Sequence, residues 1–230
     1  MVLAAGLGLR MRPLTNKTPK PLLRIGGIPM IERILGHLVD ADIKNVVVNT
    51  HYLADQFFTY FDGRVNPRIE IIYEETILDT GGGVANALHY LDGEAFPVLN
   101  SDVILFNGHQ PLIQRLGETW NPLIMDALLL LQPIEKSFGY SGPGDFHVHK
   151  DGLLSRRTRD EPAPFLFTGV QILKRDLFRA APDSPFSLNV LYDLAQDRGR
   201  LFGLVHDGEW LHVGTPAAMR KAERYIRNLE

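Results

Sequence analysis

Length, composition and charge set the first limits on what this chain can be. The protein has 230 residues, with 24 lysines and arginines against 27 aspartates and glutamates, a formal net charge of −3. This balance excludes a strongly basic nucleic-acid-binding protein, and the apolar content of 45% excludes wholesale disorder. The chain has no cysteine, which excludes disulfides, thiol nucleophiles and zinc–thiolate sites.

The N-terminal sequence and the apolar runs give no sign of membrane attachment or export. Fully apolar stretches such as Ala127 to Leu131 fall far short of the ~18 residues that a membrane span needs. Met1 to Ala5 runs directly into a glycine, without the basic leader and long apolar core of a secretion signal. The sequence therefore predicts a soluble cytoplasmic protein with neither a membrane nor a nucleic acid as its partner.

The first half of the chain alternates between strand and helix patterns. Met1 to Ala5 is predicted as a buried strand that enters a glycine turn at Gly6. The alternation that follows predicts a mostly parallel sheet covered on both faces. It consists of strands at Val46 to Val48, Ile69 to Tyr73 and Phe96 to Leu99, and of helices with the apolar stripes Ile31-Ile34-Leu35-Leu38 and Val84-Ala87-Leu88-Leu91.

The second half of the chain changes to longer strands and fewer helices. A hairpin is predicted from Phe146 to Ser155, turning at Lys150-Asp151-Gly152. Thr215-Pro216 is typical of a helix start, with threonine as the cap, and this final helix is predicted to run to about Asn228. The other predicted elements are strands at Ala127 to Gln132 and Phe165 to Leu173, and a helix around Leu188, Leu191 and Tyr192.

A glycine-rich and basic segment from Leu3 to Leu22 follows the first predicted strand directly. Its glycines let backbone amides approach an anion closely. Arg10 carries the planar fork that phosphate oxygens accept, and a proline on each side of Lys20 restricts the backbone and holds one ammonium in place. Lys20 is expected to lie on an open loop. Met11 stands where a dinucleotide fingerprint has its third glycine, and there is no Walker loop. We interpret the segment as a phosphate site; a solvated surface loop is the alternative.

This segment resembles the signature of the sugar-1-phosphate nucleotidylyltransferases, and the resemblance extends over nearly the full chain. Within the family, the chain is most similar to the short bacterial N-acetylmuramate-1-phosphate uridylyltransferases and to mannose-1-phosphate guanylyltransferase-like enzymes. Four further segments fall in the family's order: Asp79-Thr80-Gly81-Gly82-Gly83, Asn100-Ser101-Asp102, Gly142-Pro143-Gly144-Asp145-Phe146 and Trp210-Leu211-His212-Val213-Gly214-Thr215.

The resemblance implies a Rossmann-like nucleotide-diphospho-sugar transferase fold without a β-helix extension. Together with the element order, it predicts an α/β protein of three layers, α/β/α, around a mixed, mostly parallel central sheet. We expect a single domain over residues 1–230, with a nucleotide-binding half at about 1–110 and a sugar-binding half at 111–230. Members of the family have a few residues before this motif, so the first strand is expected to be shortened.

The implied reaction joins a nucleoside triphosphate and a sugar 1-phosphate to give a nucleotide sugar and pyrophosphate. Such in-line attack on the α-phosphorus depends mainly on positioning and charge neutralisation. Arg10 and Lys20 are the implied catalytic residues, and Asn100 and Asp145 the implied sugar contacts. Residues 80–82 are expected to form a turn that faces the base. The implied nucleotide-binding residues are Leu3, Ala4, Ala5, Gly6, Gly8, Leu9, Arg10, Lys20, Thr80, Gly81 and Gly82.

Asp102 and His212 are the candidate metal ligands. Asp102 follows a predicted strand at the edge where ligands bind in open α/β sheets, and its carboxylate suits Mg²⁺; a turn aspartate is the alternative. His212 departs from the family, which carries a second carboxylate there. Imidazole suits Mn²⁺ better than Mg²⁺, so His212 is expected to ligate a softer ion, to hold a water of the metal shell, or to mark weakened catalysis. Asp207 or Glu209 could supply the missing charge.

These inferences predict a cytoplasmic enzyme that depends on Mg²⁺, or on Mn²⁺, and joins UTP to N-acetylmuramate 1-phosphate in cell-wall recycling. GTP with mannose 1-phosphate or a heptose phosphate is the alternative in the same class. A glycine turn contacts a base through its backbone, and such contacts do not indicate which base is bound. A cytidylyltransferase acting on a phosphorylated alcohol such as phosphocholine is a third. The alternative from another class is a nucleotide-sugar-binding protein with weakened turnover. We expect a monomer or a weak homodimer.

Overall fold

The protein is described by a computed structural model covering residues 1–229. Its helices are α1 (Met30–Asp40), α2 (Ala54–Phe61), α3 (Asp79–Ala87), α4 (Leu112–Thr119), α5 (Asn189–Asp197) and α6 (Pro216–Arg227). Its strands are β1 (Val2–Leu3), β2 (Arg24–Ile25), β3 (Ile28–Pro29), β4 (Asn45–Thr50), β5 (Arg68–Tyr73), β6 (Ala95–Asn100), β7 (Ile104–Leu105), β8 (Ala127–Pro133), β9 (Ser137–Phe138), β10 (Phe146–Val148), β11 (Leu154–Arg156), β12 (Phe165–Lys174), β13 (Leu201–Val205) and β14 (Trp210–Leu211). Short 3₁₀ helices cover Leu9–Met11, Leu14–Asn16, Lys20–Leu22, Leu88–Tyr90, Ile134–Lys136 and Arg175–Ala180.

A mixed nine-stranded sheet forms the centre of the fold. Its main path runs β11-β10-β12-β6-β1-β4-β5, while β8 pairs with β12 and β13 pairs with β8. The strands from β6 to β5 are parallel to one another, and β12 joins them antiparallel through β6. The predicted mixed sheet with a parallel central part is therefore confirmed.

Helices cover both faces of this sheet, because the side chains of each strand alternate between two cores. Val46 and Val48 of β4 face one core, which contains the apolar sides of α1, α2 and α4. Val47 faces the other core, which contains those of α3 and α5. The three-layer α/β/α arrangement predicted from the sequence is thus the observed one.

The apolar stripe predicted for the first helix is the buried face of α1. Ile31, Ile34, Leu35 and Leu38 have no exposed surface. Burying one such side chain contributes about 1.5–3 kcal/mol, whereas intrinsic helix propensity differs by only about 0.7 kcal/mol per ordinary residue. The stripe, more than the propensity, therefore fixes α1 against the sheet.

The second half contains the predicted hairpin and final helix. Strands β10 and β11 pair antiparallel around the turn at 149–153, as predicted. Thr215 caps α6 by accepting the amide N–H of Ala218 through its hydroxyl at 3.2 Å. A small sheet, β7-β14-β9, lies beside the central one and leads the chain from Trp210 to His212.

Several elements differ from the sequence prediction. The first strand covers only Val2–Leu3, because the chain turns at Ala4 into the glycine-rich loop. Helices α2 and α4 and strand β13 were not predicted, nor were the two-residue strands β2, β3, β7, β9 and β14. Residues 80–82 were expected as a turn, but they lie inside α3. Within residues 1–229, the structure has no helix long and apolar enough to span a membrane.

Candidate functional site

A cavity of about 790 Å³ opens where three parallel strands end. Residues after β1 and β6 and near the end of β4 line it, which is the edge where open α/β sheets bind their ligands. Most of the site residues predicted from the sequence lie on its wall. These are Leu3, Ala4, Ala5, Gly6, Gly8, Leu9, Arg10, Lys20, Thr80, Asn100 and Asp102.

The glycine-rich loop is shaped by Gly8. Its φ is +61°, and a Cβ there would lie 3.0 Å from the Thr15 methyl group, so both the backbone and the space favour glycine. The Gly8 carbonyl accepts the Thr15 hydroxyl and the Met11 amide, each at 2.9 Å. Gly6 is exposed, and a Cβ there would meet no protein atom within 4 Å. The space beside Gly6 is therefore open to a ligand.

Arg10 and Lys20 place two positive charges at the cavity, and the two side chains differ in how firmly the protein holds them. The Arg10 side chain is exposed and makes no hydrogen bond or ion pair with any other residue among 1–229. Lys20 was expected on an open loop, but it is buried in a 3₁₀ turn, because Pro19 and Pro21 fold the chain back onto the core. Arg10 is thus free to follow a ligand, whereas Lys20 is fixed.

Lys20 forms an ion pair with Asp102, its Nζ lying 2.6 Å from Oδ2. The lysine side chain is 10% exposed and that of the aspartate 40%, so the pair lies at the cavity wall with the carboxylate toward solvent. Asp102 follows β6 as predicted. The sequence pattern identified both residues separately but did not indicate their pairing, which joins segments 82 residues apart.

A buried polar network supports the cavity beneath the glycine-rich loop. Asn49 accepts the Ala4 amide at 3.0 Å and donates to Glu74 at 2.6 Å. Glu74 also accepts the Leu78 amide at 3.2 Å, just before α3 begins. The network therefore ties β1, β4 and the start of α3 together. Sequence analysis missed Asn49 and Glu74, although each stands at or directly after a predicted strand.

The glycine triplet packs α3 against its neighbours instead of facing the cavity. A Cβ on Gly81 would lie 2.3 Å from the Phe186 ring, and one on Gly83 would lie 2.7 Å from the Asn49 amide nitrogen. The amides of Gly81 and Gly82 both donate to the Phe186 carbonyl. The expected turn is therefore wrong: the absence of side chains permits close packing within the protein. Of the expected turn residues 80–82, Thr80 lines the cavity and the two glycines do not.

His212 lies beside the cavity without a hydrogen bond from its ring to any other residue of 1–229. Burial and the positive charges of Lys20 and Arg10 lower the pKa of His212, while Asp102 opposes this effect. A Cβ on Gly214 would lie 2.4 Å from its Nε2, so that glycine makes room for the ring. His212 is therefore a neutral imidazole near the cations and carboxylate of the site at neutral pH.

The two carboxylates considered as substitutes for the missing acidic group lie elsewhere. Asp207 pairs with Arg115 and with His109, and its oxygens contact both. Glu209 accepts the Tyr225 hydroxyl at 2.7 Å. Neither lines the cavity. Among residues 1–229, no three His, Cys, Asp or Glu side chains are grouped so that they could hold a metal ion.

Asp145 lies in a second cavity of about 430 Å³. Its Oδ2 accepts the Phe167 amide at 2.8 Å and so anchors the start of β10 to β12. Asn100 remains in the first cavity, where it packs against Gly169, whose φ is +90°. The two predicted sugar contacts thus line different cavities, and each contacts the irregular part of β12 at 167–171.

Comparison with known proteins agrees with the resemblance seen in the sequence. The family model described as Nucleotidyl transferase matches residues 1–146. The chain is 39% identical to the N-acetylmuramate alpha-1-phosphate uridylyltransferase of Caulobacter vibrioides, over 97% of this chain and 94% of that protein. It is 30% identical to the protein of the same name from Neisseria meningitidis serogroup B, over 97% of this chain and 96% of that protein.

A solved structure shares the fold. HddC from Yersinia pseudotuberculosis, crystallised in complex with GMP-PN, aligns with a TM-score of 0.78 at 22% identity, over 98% of this chain and 97% of that chain. At that identity the likeness concerns the fold alone, and it confirms the predicted architecture. The family match over more than half of the chain and the full-length relatives carry the conclusion further: the chain belongs to the nucleotidyl transferase family.

Proposed function

We propose that the protein transfers the uridylyl group of UTP to N-acetylmuramate 1-phosphate and releases pyrophosphate. The observation that carries the proposal is the Lys20–Asp102 ion pair on the wall of the first cavity, a fixed cation and a carboxylate 2.6 Å apart. Nucleotidyl transfer needs both kinds of group beside a triphosphate. The choice of substrates is supported by the two relatives that carry the name N-acetylmuramate alpha-1-phosphate uridylyltransferase.

In this proposal the two cations of the first cavity have different tasks. Arg10, which has no hydrogen bond or ion pair within residues 1–229, binds the β- and γ-phosphates through its planar fork. Lys20, fixed by its ion pair, neutralises the charge that develops at the α-phosphate. An oxygen of the sugar phosphate forms a bond to the α-phosphorus, and the bond from that phosphorus to the pyrophosphate oxygen breaks on the opposite side. Positioning and charge neutralisation suffice, so no protein nucleophile is required.

Asp102 is the residue that fits a divalent cation. Its Oδ2 accepts from Lys20, while Oδ1 has no hydrogen bond within residues 1–229 and remains available. Mg²⁺ is held by one or two carboxylates together with the phosphates of the substrate, and Mn²⁺ accepts the same ligands. The ion supplies charge neutralisation on the phosphates when bound. We propose that Asp102 would hold this ion and that His212, beside the cavity, would hydrogen-bond one of its waters.

The remaining lining residues are assigned to the base, the ribose and the sugar. The backbone from Leu3 to Gly6 and the Thr80 side chain surround the part of the cavity proposed for the nucleoside. Asn100 and Asp145 are assigned to the sugar. We further propose that residues 1–230 act as one domain, with the nucleotide in the first half and the sugar in the second, in a monomer or a weak homodimer.

A catalytically weakened nucleotide-sugar-binding protein is the second candidate, and His212 is the observation that favours it. A neutral imidazole replaces a carboxylate that would attract a second divalent cation. This candidate and the enzyme differ in one measurable respect, the release of pyrophosphate.

The test is a pyrophosphate-release assay on purified protein. UTP, GTP and CTP are each combined with N-acetylmuramate 1-phosphate, mannose 1-phosphate and phosphocholine, in the presence of Mg²⁺ or Mn²⁺. We expect release with UTP and N-acetylmuramate 1-phosphate and at least 10-fold less with the other pairs. Release with GTP and mannose 1-phosphate instead would replace the proposed substrates, and thermal stabilisation by a nucleotide sugar without any release would favour the binding protein.

A further inference from the structure

The second cavity is rich in arginine. Arg156, Arg157 and Arg159 line it together with one carboxylate, that of Asp145. One oxygen of Asp145 already accepts the Phe167 amide, so only its other oxygen is open to a ligand. The cavity therefore presents a surplus of positive charge in a chain whose net charge is −3.

The three guanidinium groups differ in how much of their binding capacity the protein uses. Arg156 forms an ion pair with Asp193 at 3.2 Å. Arg157 donates from Nε to the Gly144 carbonyl at 2.8 Å and from Nη1 to two backbone carbonyls, while its Nη2 makes no hydrogen bond within 1–229. Arg159 is exposed and has no side-chain hydrogen bond or ion pair with those residues. Arg157 and Arg159 thus retain N–H donors for a ligand.

Two contacts connect this cavity with the proposed nucleotide site. Phe167 lines the second cavity, and Gly169, two residues further along β12, packs against Asn100 in the first. At about 3.3 Å per strand residue, this separation is under 10 Å. The Thr80 hydroxyl of the first cavity accepts the Leu188 amide at 3.0 Å, and the next residue along the chain lines the second cavity. A sugar phosphate that leaves the first cavity at Asn100 would therefore extend toward the arginines.

The charge distribution selects the kind of sugar that fits. Arg10 and Lys20 already account for the phosphates in the first cavity. If the sugar itself carries no charge, a second group of cations on its far side has no group to bind. A carboxylate on the sugar would instead receive charge-assisted hydrogen bonds from a guanidinium fork, which are about twice as strong as neutral ones.

We propose that Arg157 and Arg159 form a subsite for a carboxylate attached to the sugar of the phosphorylated substrate. The inference rests on the proposed function and deepens it, because the lactyl ether of N-acetylmuramate carries such a carboxylate. It makes the two arginines specificity-determining residues that discriminate this sugar from its parent, N-acetylglucosamine. Arg156, held by Asp193, supports the subsite electrostatically.

The test compares two sugar phosphates that differ only in the lactyl group, N-acetylmuramate 1-phosphate and N-acetylglucosamine 1-phosphate. Arg159→Ala removes a side chain that has no hydrogen bond or ion pair in the described part of the chain, so the variant should fold like the wild type. We expect the ratio of kcat/KM for the two sugars to fall about 10-fold, the loss of one charge-assisted hydrogen bond. Arg157→Lys keeps the charge but not the planar fork, and should lower the ratio as well.

Arg179→Ala is the matched control, since Arg179 is an 82% exposed arginine that pairs with Asp176 and lines neither cavity. Its ratio should equal that of the wild type. A second readout is calorimetric binding of UDP-N-acetylmuramate and UDP-N-acetylglucosamine to the wild type and to the Arg159 variant. An unchanged ratio in both arginine variants, or equal affinity of the wild type for the two nucleotide sugars, would overturn the subsite.

Failure of the proposed function would look different. A wild-type protein that releases no pyrophosphate with any pair would contradict the proposed reaction. Calorimetry still decides the subsite in that protein: tighter binding of the nucleotide sugar with the carboxylate, lost in Arg159→Ala, supports it, and equal binding overturns it.

Discussion

The ion pair between Lys20 and Asp102 shows how much a single contact adds to what its two residues indicate separately. The prolines beside Lys20 suggest a restrained cation, and the position of Asp102 after a strand suggests a ligand-binding carboxylate. Their distance of 2.6 Å depends on a loop and a strand that only the folded sheet brings together. Sequence analysis could therefore select both residues as candidates, but not predict that Lys20 is buried or that the two residues form an ion pair.

Replacing Lys20 should lower turnover more than stability. In Lys20→Met we expect kcat/KM with UTP to fall by about 10²–10³-fold, because a fixed cation near the α-phosphate is lost. Asp102 is 40% exposed and can be hydrated, so the protein should keep its fold. Steady-state kinetics and thermal unfolding measure the two effects. Lys17→Met, at an exposed lysine outside the cavity, should match the wild type; an unfolded Lys20→Met protein would show that the lysine is structural.

His212 offers a second prediction at the scale of one side chain. His212→Asp introduces the carboxylate that Mg²⁺ prefers, next to the positive charges of Lys20 and Arg10 that would keep it ionised. We expect the Mg²⁺ concentration for half-maximal activity to fall and the maximal rate with Mg²⁺ to rise several-fold. His212→Asn is the control, as a polar residue without charge. Equal or lower activity of the aspartate variant with Mg²⁺ would contradict this account of the histidine.

Among the elements, α3 is the one whose sequence was most open to misinterpretation. Three consecutive glycines are typical of a turn, yet here they lie near the start of a helix. Glycine is needed at these positions because Phe186, Ser184 and Asn49 occupy the space that side chains would fill. These neighbours come from distant segments of the chain, so the local sequence could not indicate why the glycines are there. Elements with a strong local signal, such as α1 and α6, could be predicted from the sequence. The two-residue strands of the small sheet could not, since long-range pairing alone defines them.

The packing of α3 predicts opposite effects for two glycine substitutions in helices. In Gly81→Ala the new Cβ would lie 2.3 Å from the Phe186 ring and 2.9 Å from its carbonyl oxygen, so we expect the free energy of unfolding to fall by about 1–3 kcal/mol. In Gly36→Ala, on the exposed side of α1, the new Cβ would meet no atom of residues 1–229 within 4 Å apart from the adjacent residues and the backbone of its own helix. There we expect a gain of about 0.5–1 kcal/mol. Urea unfolding at equilibrium measures both, and two changes of the same sign would be evidence against this packing.

At the scale of the whole molecule, the topology was predictable where the chain alternates between strand and helix. That rhythm allows few arrangements other than a parallel sheet with helices on both faces. The second half has no such rhythm, and its strands attach through β12, which pairs with β6, β8 and β10. Which strands become neighbours there depends on non-local pairing, so the sequence predicted β8, β10, β11 and β12 but neither β13 nor the order of the strands.

Three buried or half-buried histidines predict how the stability of the whole fold depends on pH. Burial lowers the pKa of His37, of His206 and of His212. Below the unfolded-state pKa of about 6.5, the unfolded chain therefore binds protons that the folded chain does not. We expect the free energy of unfolding to decrease as the pH falls from 7.5 to 5.5, measured by urea unfolding at several pH values.

The matched variants for this experiment are His37→Gln and His89→Gln. The first removes one buried ring and should flatten the dependence of stability on pH. The second changes an exposed histidine and should leave the slope as it is in the wild type. Stability that increases on acidification over this range would contradict the assignment of the buried rings as neutral.

Strand β12 connects the two cavities through its backbone. Its residue Val170 pairs with Leu99 beside the first cavity, and Phe165 at its start pairs with Phe146 beside the second. A single strand thus sets the distance between the first and the second cavity. Substitutions that shift β12 should alter the Michaelis constants of both substrates in concert, whereas changes in the surrounding loops should affect one substrate at a time.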